Sequence, residues 1–307
     1  MRLSLFFLIA IHFSFNAQNN YYLFNKYLIK AEIAAKYRKY TTASENFLNA
    51  RKIAPENYIF SLKLAHYYSI FPEYQDSAIA YFKKAIFLGY SPEFIINETK
   101  GKKITRTDKW KSFMTETKDC VQKANKLIRD EEQVHFIQNI FHNDQRVRDD
   151  SHPSAMKDMV KVDSINLISL MDFVKGKQFP IYPFISVDEN IETIIMHLIM
   201  YDWPATESLM DTVTNLCKTN KLEYRSYMLI IDRRYKWKYN KNQKFGWFYS
   251  SKTRTIEPVD DCKKVDEIRY QYNMPTLYED CLLYDLKPPA GYHITEKMKA
   301  EYSEIIK

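Results

Sequence analysis

The residues best suited to chemistry in this 307-residue chain lie in its second half, as short polar strings set among apolar helices. In chain order they are Asp144-Gln145-Arg146, Asp163-Ser164-Ile165-Asn166, His197, Asp232-Arg233, Gln243-Lys244-Phe245-Gly246, Pro258-Val259-Asp260 and Asp266-x-x-Arg269. His197 lies in the most apolar helix of the chain, where an imidazole needs a hydrogen-bond partner; Asp232 or Asp144 can supply it. A carboxylate that orients a histidine makes it a general base, and the same pair also satisfies an ordinary core histidine. Asp232 borders the apolar stripe Tyr224, Tyr227, Met228, Ile231 and Tyr235. A carboxylate there is costly unless paired, and Arg146 or Arg269 is the expected partner. Arg146, Arg233 and Arg269 together would clamp a carboxylate or phosphate, because guanidinium groups bind such anions with two parallel bonds. Gln243 and Gly246 bracket the entry to a strand pair, where glycine admits a ligand or a neighbouring backbone. The expected catalytic pair is therefore His197 with Asp232, and the expected ligand-binding set is Arg146, Arg233, Gln243 and Arg269.

Other chemistries lack their motifs. The chain has no glycine-rich phosphate loop, no G-x-S-x-G and no H-E-x-x-H, which removes the commonest nucleotide-binding, serine-hydrolase and zinc-protease readings. His135 and His142 share a helix face but lack a third ligand, so no metal is expected, and nothing calls for a cofactor. Trp237, Tyr239, Phe245, Trp247, Phe248 and Tyr249 interleave with Lys236, Lys238, Lys241 and Lys244. Such a cluster stacks on sugar rings or sits at a membrane surface; it is also what a hairpin packed on its own helix looks like.

In order and spacing, the polar strings from 131 to about 280 resemble an uncharacterised bacterial domain family of unknown function. That family's pattern runs D-Q-x-R, D-x-x-N, a helix containing His, D-R, Q-x-[FY]-G and a closing Asp and Arg. The chain departs from it at Lys175-Gly176-Lys177-Gln178-Phe179-Pro180, where the family has a compact G-[WF]-P. The resemblance implies no reaction.

These groups need helices to position them. Five glycines in 307 residues are too few for a turn-rich β fold. Near the N-terminus, Ala43, Phe47 and Ala50 recur 35 residues later as Ala78, Phe82 and Ala85, and Pro55 recurs less strictly as Pro92. Small residues let two helices approach and the Phe fills the space between them. The period and pattern resemble two tetratricopeptide units over residues 21–90, with Tyr27 and Ala31 in place of the family's Trp and Gly. Two units do not bury a solenoid core, so residues 92–115 are expected to cap them. A long helix, or two in line, follows over 119–148 until Ser151-His152-Pro153. Further helices are expected at 154–175, 189–202, 204–219, 222–239, 261–272 and 296–306, with a β-hairpin over 244–257.

The ends and the charge suggest a location. Residues 1–17 read as a secretory signal, with Arg2, an apolar run from Leu3 to Ile11 and Ala17 before the cut. That run is too short to span a bilayer, which takes about 20 residues. Cys120, Cys217, Cys262 and Cys281 would then meet an oxidising compartment, where Cys262 and Cys281 are close enough in sequence to pair. The net charge is +7, and eleven Lys or Arg lie between Lys218 and Arg254 against Glu223 and Asp232. Outside the cytosol this favours an anionic envelope polymer or surface over nucleic acid. The expected architecture is mainly α: a signal at 1–17, tetratricopeptide-like repeats with a cap at 18–118, and a helical domain with a small β-hairpin at 119–307. The first functional expectation is an exported, periplasmic or secreted protein, not membrane-spanning, that binds a protein or peptide through the repeats and an anionic ligand in a polar pocket. The second is an envelope-located hydrolase using His197 and Asp232 with an arginine anion clamp. The third is a structural protein on an anionic envelope surface.

Overall fold

The computed structural model describes residues 20–53, 57–148, 155–186 and 190–307. The expected signal at 1–17, Pro55 and the break at Ser151-His152-Pro153 lie outside them. The fold is mainly α. Its helices are α1 (20–36), α2 (Tyr40–Ile53), α3 (Tyr58–Tyr68), α4 (Gln75–Phe87), α5 (Pro92–Thr99), α6 (Asp108–Leu127), α7 (Glu131–Arg146), α8 (Ala155–Phe173), α9 (Ile191–Leu198), α10 (Pro204–Lys218), α11 (Tyr224–Arg233), α12 (Val265–Tyr270), α13 (Leu277–Tyr284) and α14 (Glu296–Ile306). No helix among the described residues is long and apolar enough to cross a membrane.

Two compact units result, Met1–Pro55 with Met210–Lys307, and Glu56–Leu209. In the second unit α3, α4 and α6 pack together. Their core joins Ala65, Ala78, Phe82 and Ile86 to Ile95, Ile104, Trp110 and Phe113. Phe82 is fully buried, with ring centroids 5.7 Å from Trp110 and 6.0 Å from Phe113. Segment 92–127 thus covers the α3–α4 pair, and its second helix is longer than the short one expected. Ser91 caps α5 and Thr107 caps α6, each accepting a hydrogen bond from a first-turn N–H, which places both starts.

Of the one long helix or two in line expected over 119–148, two helices form, separated at Ile128–Asp130. Asp130 accepts from the Gln133 N–H at 3.1 Å and so starts α7 afresh. Its own N–H donates to Phe184 O at 2.9 Å. Arg129 donates to the carbonyl oxygens of Ile86, Phe87 and Pro183. The chain leaves the helix there because these long-range partners outcompete the local ladder. The boundary expected between 118 and 119 falls inside α6.

In the other unit, α1 and α2 belong with residues 210–307. Asn25 donates to Asn273 O at 2.9 Å, Lys36 to Leu282 O and Leu283 O, and Lys26 pairs with Glu301 at 3.1 Å. Ala43, Phe47 and Ala50 are buried, as are their counterparts Ala78, Phe82 and Ala85. The expected β-hairpin does not form strands. Among the described residues only the isolated bridges Gln243 to Val259, Tyr249 to Ile256 and Thr255 to Lys287 occur. All four cysteines are free, including Cys262 and Cys281, whose closeness in sequence left a bridge open. The Cys262 thiol instead lies against Val259 O and Ala290 O, and burial pushes the Cys281 thiol up to about 12.

Because Phe82 fills the space between α4 and the covering segment, Phe82→Ala should cost about 3–5 kcal/mol of folding stability. Chemical denaturation of the full chain measures it; a loss under about 1 kcal/mol would show that the covering segment is not packed on α4.

Candidate functional site

Asp144 is carried into the core by the periodicity of α7. Gln133, Ile137, Ile140 and Asp144 are its buried residues, at steps of three and four, so the carboxylate continues an apolar stripe. In α8, Asp163, Asn166, Leu167 and Leu170 make the corresponding buried face. In α9, Ile191, Ile194, Ile195 and Leu198 are buried and His197 lies beside them at the edge. Helices α7, α8 and α9 pack on one another, which brings the polar members of the three stripes together.

The meeting point is a connected set of charge-assisted bonds, in which one oxygen, Asp163 Oδ1, is buried without a partner among the described residues. His197 Nδ1 lies 2.9 Å from Asp144 Oδ2 and 3.0 Å from Oδ1. Arg148 bridges two carboxylates, with Nη1 2.8 Å from Asp144 Oδ1 and Nη2 2.7 Å from Asp163 Oδ2. Gln145 Nε2 donates to Asp144 Oδ2 at 2.7 Å, and the Tyr201 hydroxyl donates to Asp163 Oδ2 at 2.6 Å. Both carboxylate side chains are at 0% exposure, while those of His197 and Arg148 keep 17% and 18%. A carboxylate only accepts, so Nδ1 of the neutral imidazole carries the hydrogen and Nε2 keeps a lone pair. Nε2 has no hydrogen-bond partner among the described residues. Burial, and then the Asp163 carboxylate, push the Tyr201 phenol well above its ordinary range, so it acts as a donor. Tyr201 also stacks on Trp203, with centroids 4.0 Å apart.

Asp232 is engaged elsewhere. Its Oδ1 accepts the Lys244 and Phe245 N–H groups at 2.7 and 2.8 Å, and its Oδ2 accepts that of Trp247 at 2.8 Å. The orienting partner of His197 is therefore Asp144, and Asp232 holds a loop. Gln243 does parallel work: its Oε1 accepts the Phe248 N–H at 2.7 Å, and its Nε2 donates to Phe248 O and Glu257 O. Amides that a strand partner would have taken go to these two side chains, which is why no hairpin ladder forms. Arg269 is fully buried, and each of its three nitrogens donates: to Pro275 O at 2.6 Å, to Phe245 O at 2.8 Å and to Asp280. Its cation reaches Asp232 only through space. A Cβ on Gly246, at φ +91°, would sit 2.7 Å from Leu277 Cδ1, so this glycine serves close packing.

The expected arginine clamp does not assemble. Arg146 is exposed at the end of α7. Arg233 lies over Trp237, 5.3 Å from the ring centroid, and Arg269 is sealed. The arginine that does reach the carboxylates is Arg148, four residues after Asp144, because a step of four returns to the same helix face and a step of two does not. Tyr201 follows His197 by the same step, so both were open to a spacing argument. The aromatic cluster packs on itself: Trp237 meets Phe248 edge-on at 4.9 Å, and Lys236 pairs with Glu257 at 2.5 Å. Among the described residues no three His, Cys, Asp or Glu side chains gather as metal ligands.

Comparison of the chain with protein-family models, with curated proteins and with solved structures finds no match. The geometry therefore carries the functional argument alone.

Burial pushes Asp232 up from 3.8 to about 6, and its three amide donors and Arg269 hold it from rising further. The folded protein then takes up a proton between pH 6 and 4 that the unfolded chain does not, so Asp232 adds stability as pH falls through this window and loses it as pH rises. From pH 7 to pH 4.5 wild-type protein should gain on the order of 2 kcal/mol relative to Asp232→Asn. Urea unfolding of both proteins at the two pH values tests this, and parallel pH profiles would refute the elevated value.

Proposed function

We propose that the chain is a hydrolase in which His197 activates water. The observation that carries this reading is the asymmetry of the imidazole. Nδ1 is held by a fully buried carboxylate, while Nε2 has no partner among the described residues on a side chain that keeps 17% exposure. A histidine that only filled a core position would have both nitrogens met or sealed. Here one nitrogen is fixed and the other is unpaired on a part-exposed side chain, which is the condition a general base needs. Asp144 is the orienting residue. Gln145 and Arg148 fix Asp144 in turn, and Asp163 with Tyr201 fixes Arg148.

The step this supports is water attack on a carbonyl carbon. Nε2 removes a proton from water as the hydroxide adds, and the imidazolium then returns that proton to the leaving oxygen or nitrogen. Asp144 balances the transient positive charge. The uneven basic charge of the chain favours an ester or amide on a polyanionic polymer. An envelope location is the proposal that the first 17 residues support.

A second reading is a binding protein. Its support is the recurrence of Ala43, Phe47 and Ala50 as Ala78, Phe82 and Ala85, all buried, in the manner of tetratricopeptide helices that present a surface to a protein or peptide. His197 separates the two readings. With a panel of aryl esters and amides, His197→Gln should lower kcat by about 10²–10⁴ and Asp144→Asn by a comparable factor. Circular dichroism confirms that each variant is folded. Folded His197→Gln protein with unchanged turnover would overturn the hydrolase reading and leave binding.

A further inference from the structure

A second cluster of titratable side chains lies in the unit Glu56–Leu209, on α3, α5 and the turn after α5. His66 of α3 stands between two of its members. Its Nε2 lies 2.9 Å from Glu98 Oε2 of α5, and its Nδ1 lies 3.2 Å from Lys102 Nζ in the turn. An ammonium only donates, so Nδ1 is the acceptor and Nε2 carries the hydrogen that Glu98 accepts. The tautomer is the reverse of that in His197. The Tyr90 hydroxyl donates to the other Glu98 oxygen, Oε1, at 2.5 Å.

Each member is held in place. The imidazole meets the fully buried Phe82 ring edge-on, with centroids 5.3 Å apart. Gly101, at φ +81°, turns the chain out of α5, and the Lys102 N–H donates to Thr99 O at 2.9 Å. Burial acts to raise the Glu98 carboxyl, yet the His66 and Tyr90 hydrogen bonds hold it below its ordinary value, so it stays ionised. Partial burial lowers the Lys102 ammonium below its ordinary value, against the pull of Glu98. The amine therefore gives up a proton more readily than a fully solvated lysine. Lys102 is still open to solvent, so a reagent reaches it.

A carboxylate that orients an imidazole, whose other nitrogen meets a nucleophile, is the arrangement that activates nucleophiles for covalent chemistry. Here the nucleophile is an amine, and amines form imines with carbonyl compounds. We propose that Lys102 captures an aldehyde as a Schiff base, with His66 as its proton acceptor and Glu98 as the residue that orients His66. Nδ1 takes one proton from the ammonium, and Glu98 balances the imidazolium formed. The freed Nζ lone pair adds to the carbonyl carbon, and a second N–H proton passes to the carbonyl oxygen. The imidazolium then protonates that hydroxyl, which leaves as water as the C=N bond forms. One protonated imine and one water result. Phe94, exposed one turn before Glu98 on α5, lies 5.9 Å from the Tyr90 ring. This apolar border favours an aryl aldehyde. None of these residues belongs to the His197 cluster, so the inference is independent of the hydrolase reading.

The test incubates the full chain with benzaldehyde and quenches timed samples with borohydride, which reduces any imine to a stable amine. Peptide mass mapping then locates the adduct. Lys102 should react at least about ten-fold faster than its neighbours Lys100 and Lys103. His66→Gln accepts a hydrogen bond but cannot take up the proton; it should slow Lys102 about ten-fold or more and leave Lys100 and Lys103 unchanged. Circular dichroism checks that the variant is folded. If it is not, Glu98→Gln serves in its place, since loss of the orienting charge should also slow Lys102. Equal rates at the three lysines of the wild-type chain would overturn the proposal. An unchanged Lys102 rate in the folded variant would overturn it as well, since the cluster would then only tie α3 to α5.

Discussion

A carboxylate taken out of water must be met by donors, and much of this fold is arranged around a few carboxylates that are. Asp144 is met by His197, Gln145 and Arg148; Asp163 by Arg148 and Tyr201; Asp232 by three backbone amides; Asp280 by Arg269. Each set draws donors from separate segments of chain, so each also ties those segments together. Removing one partner would leave a buried charge unmet, which costs more than the pair contributes when complete. This makes the polar interior specific: the helices have to meet in a register that brings a donor to each carboxylate.

The same constraint explains the loop after α11. Backbone amides from 244 to 248 need acceptors, and a strand partner would be the usual source. Asp232 and Gln243 supply the acceptors from side chains. The helix itself loosens into a π turn at Arg234–Lys238, two residues after Asp232. Asp232 and Gln243 thus take the place of a β ladder, and Gly246, at φ +91°, lies against Leu277, where a Cβ would clash.

In the His197 cluster the polar groups act in series: Asp163 and Asp144 hold Arg148 between them, and Asp144 holds Nδ1 of His197. The series ends at Nε2, which has no hydrogen-bond partner among the described residues.

Helix periodicity, the small-residue pattern of the N-terminal helices, and the list of polar strings were all legible in the sequence. Periodicity placed α10 and α14 closely, because apolar stripes and the residues at helix starts are local signals. The choice of Asp144 or Asp232 for His197 was not legible, since both lie on buried stripes and only packing decides which stripes meet. Arg146 and Arg148 illustrate the limit: a spacing of four could have selected Arg148, yet only contact with α8 shows that it spans two carboxylates. Which atoms of a residue remain unmet depends on everything packed around it, and local sequence does not carry that. Sequence determined a mainly helical chain with buried polar residues. Tertiary structure decided which of them answer one another, because the cost of an unmet buried charge is settled only when the segments come together.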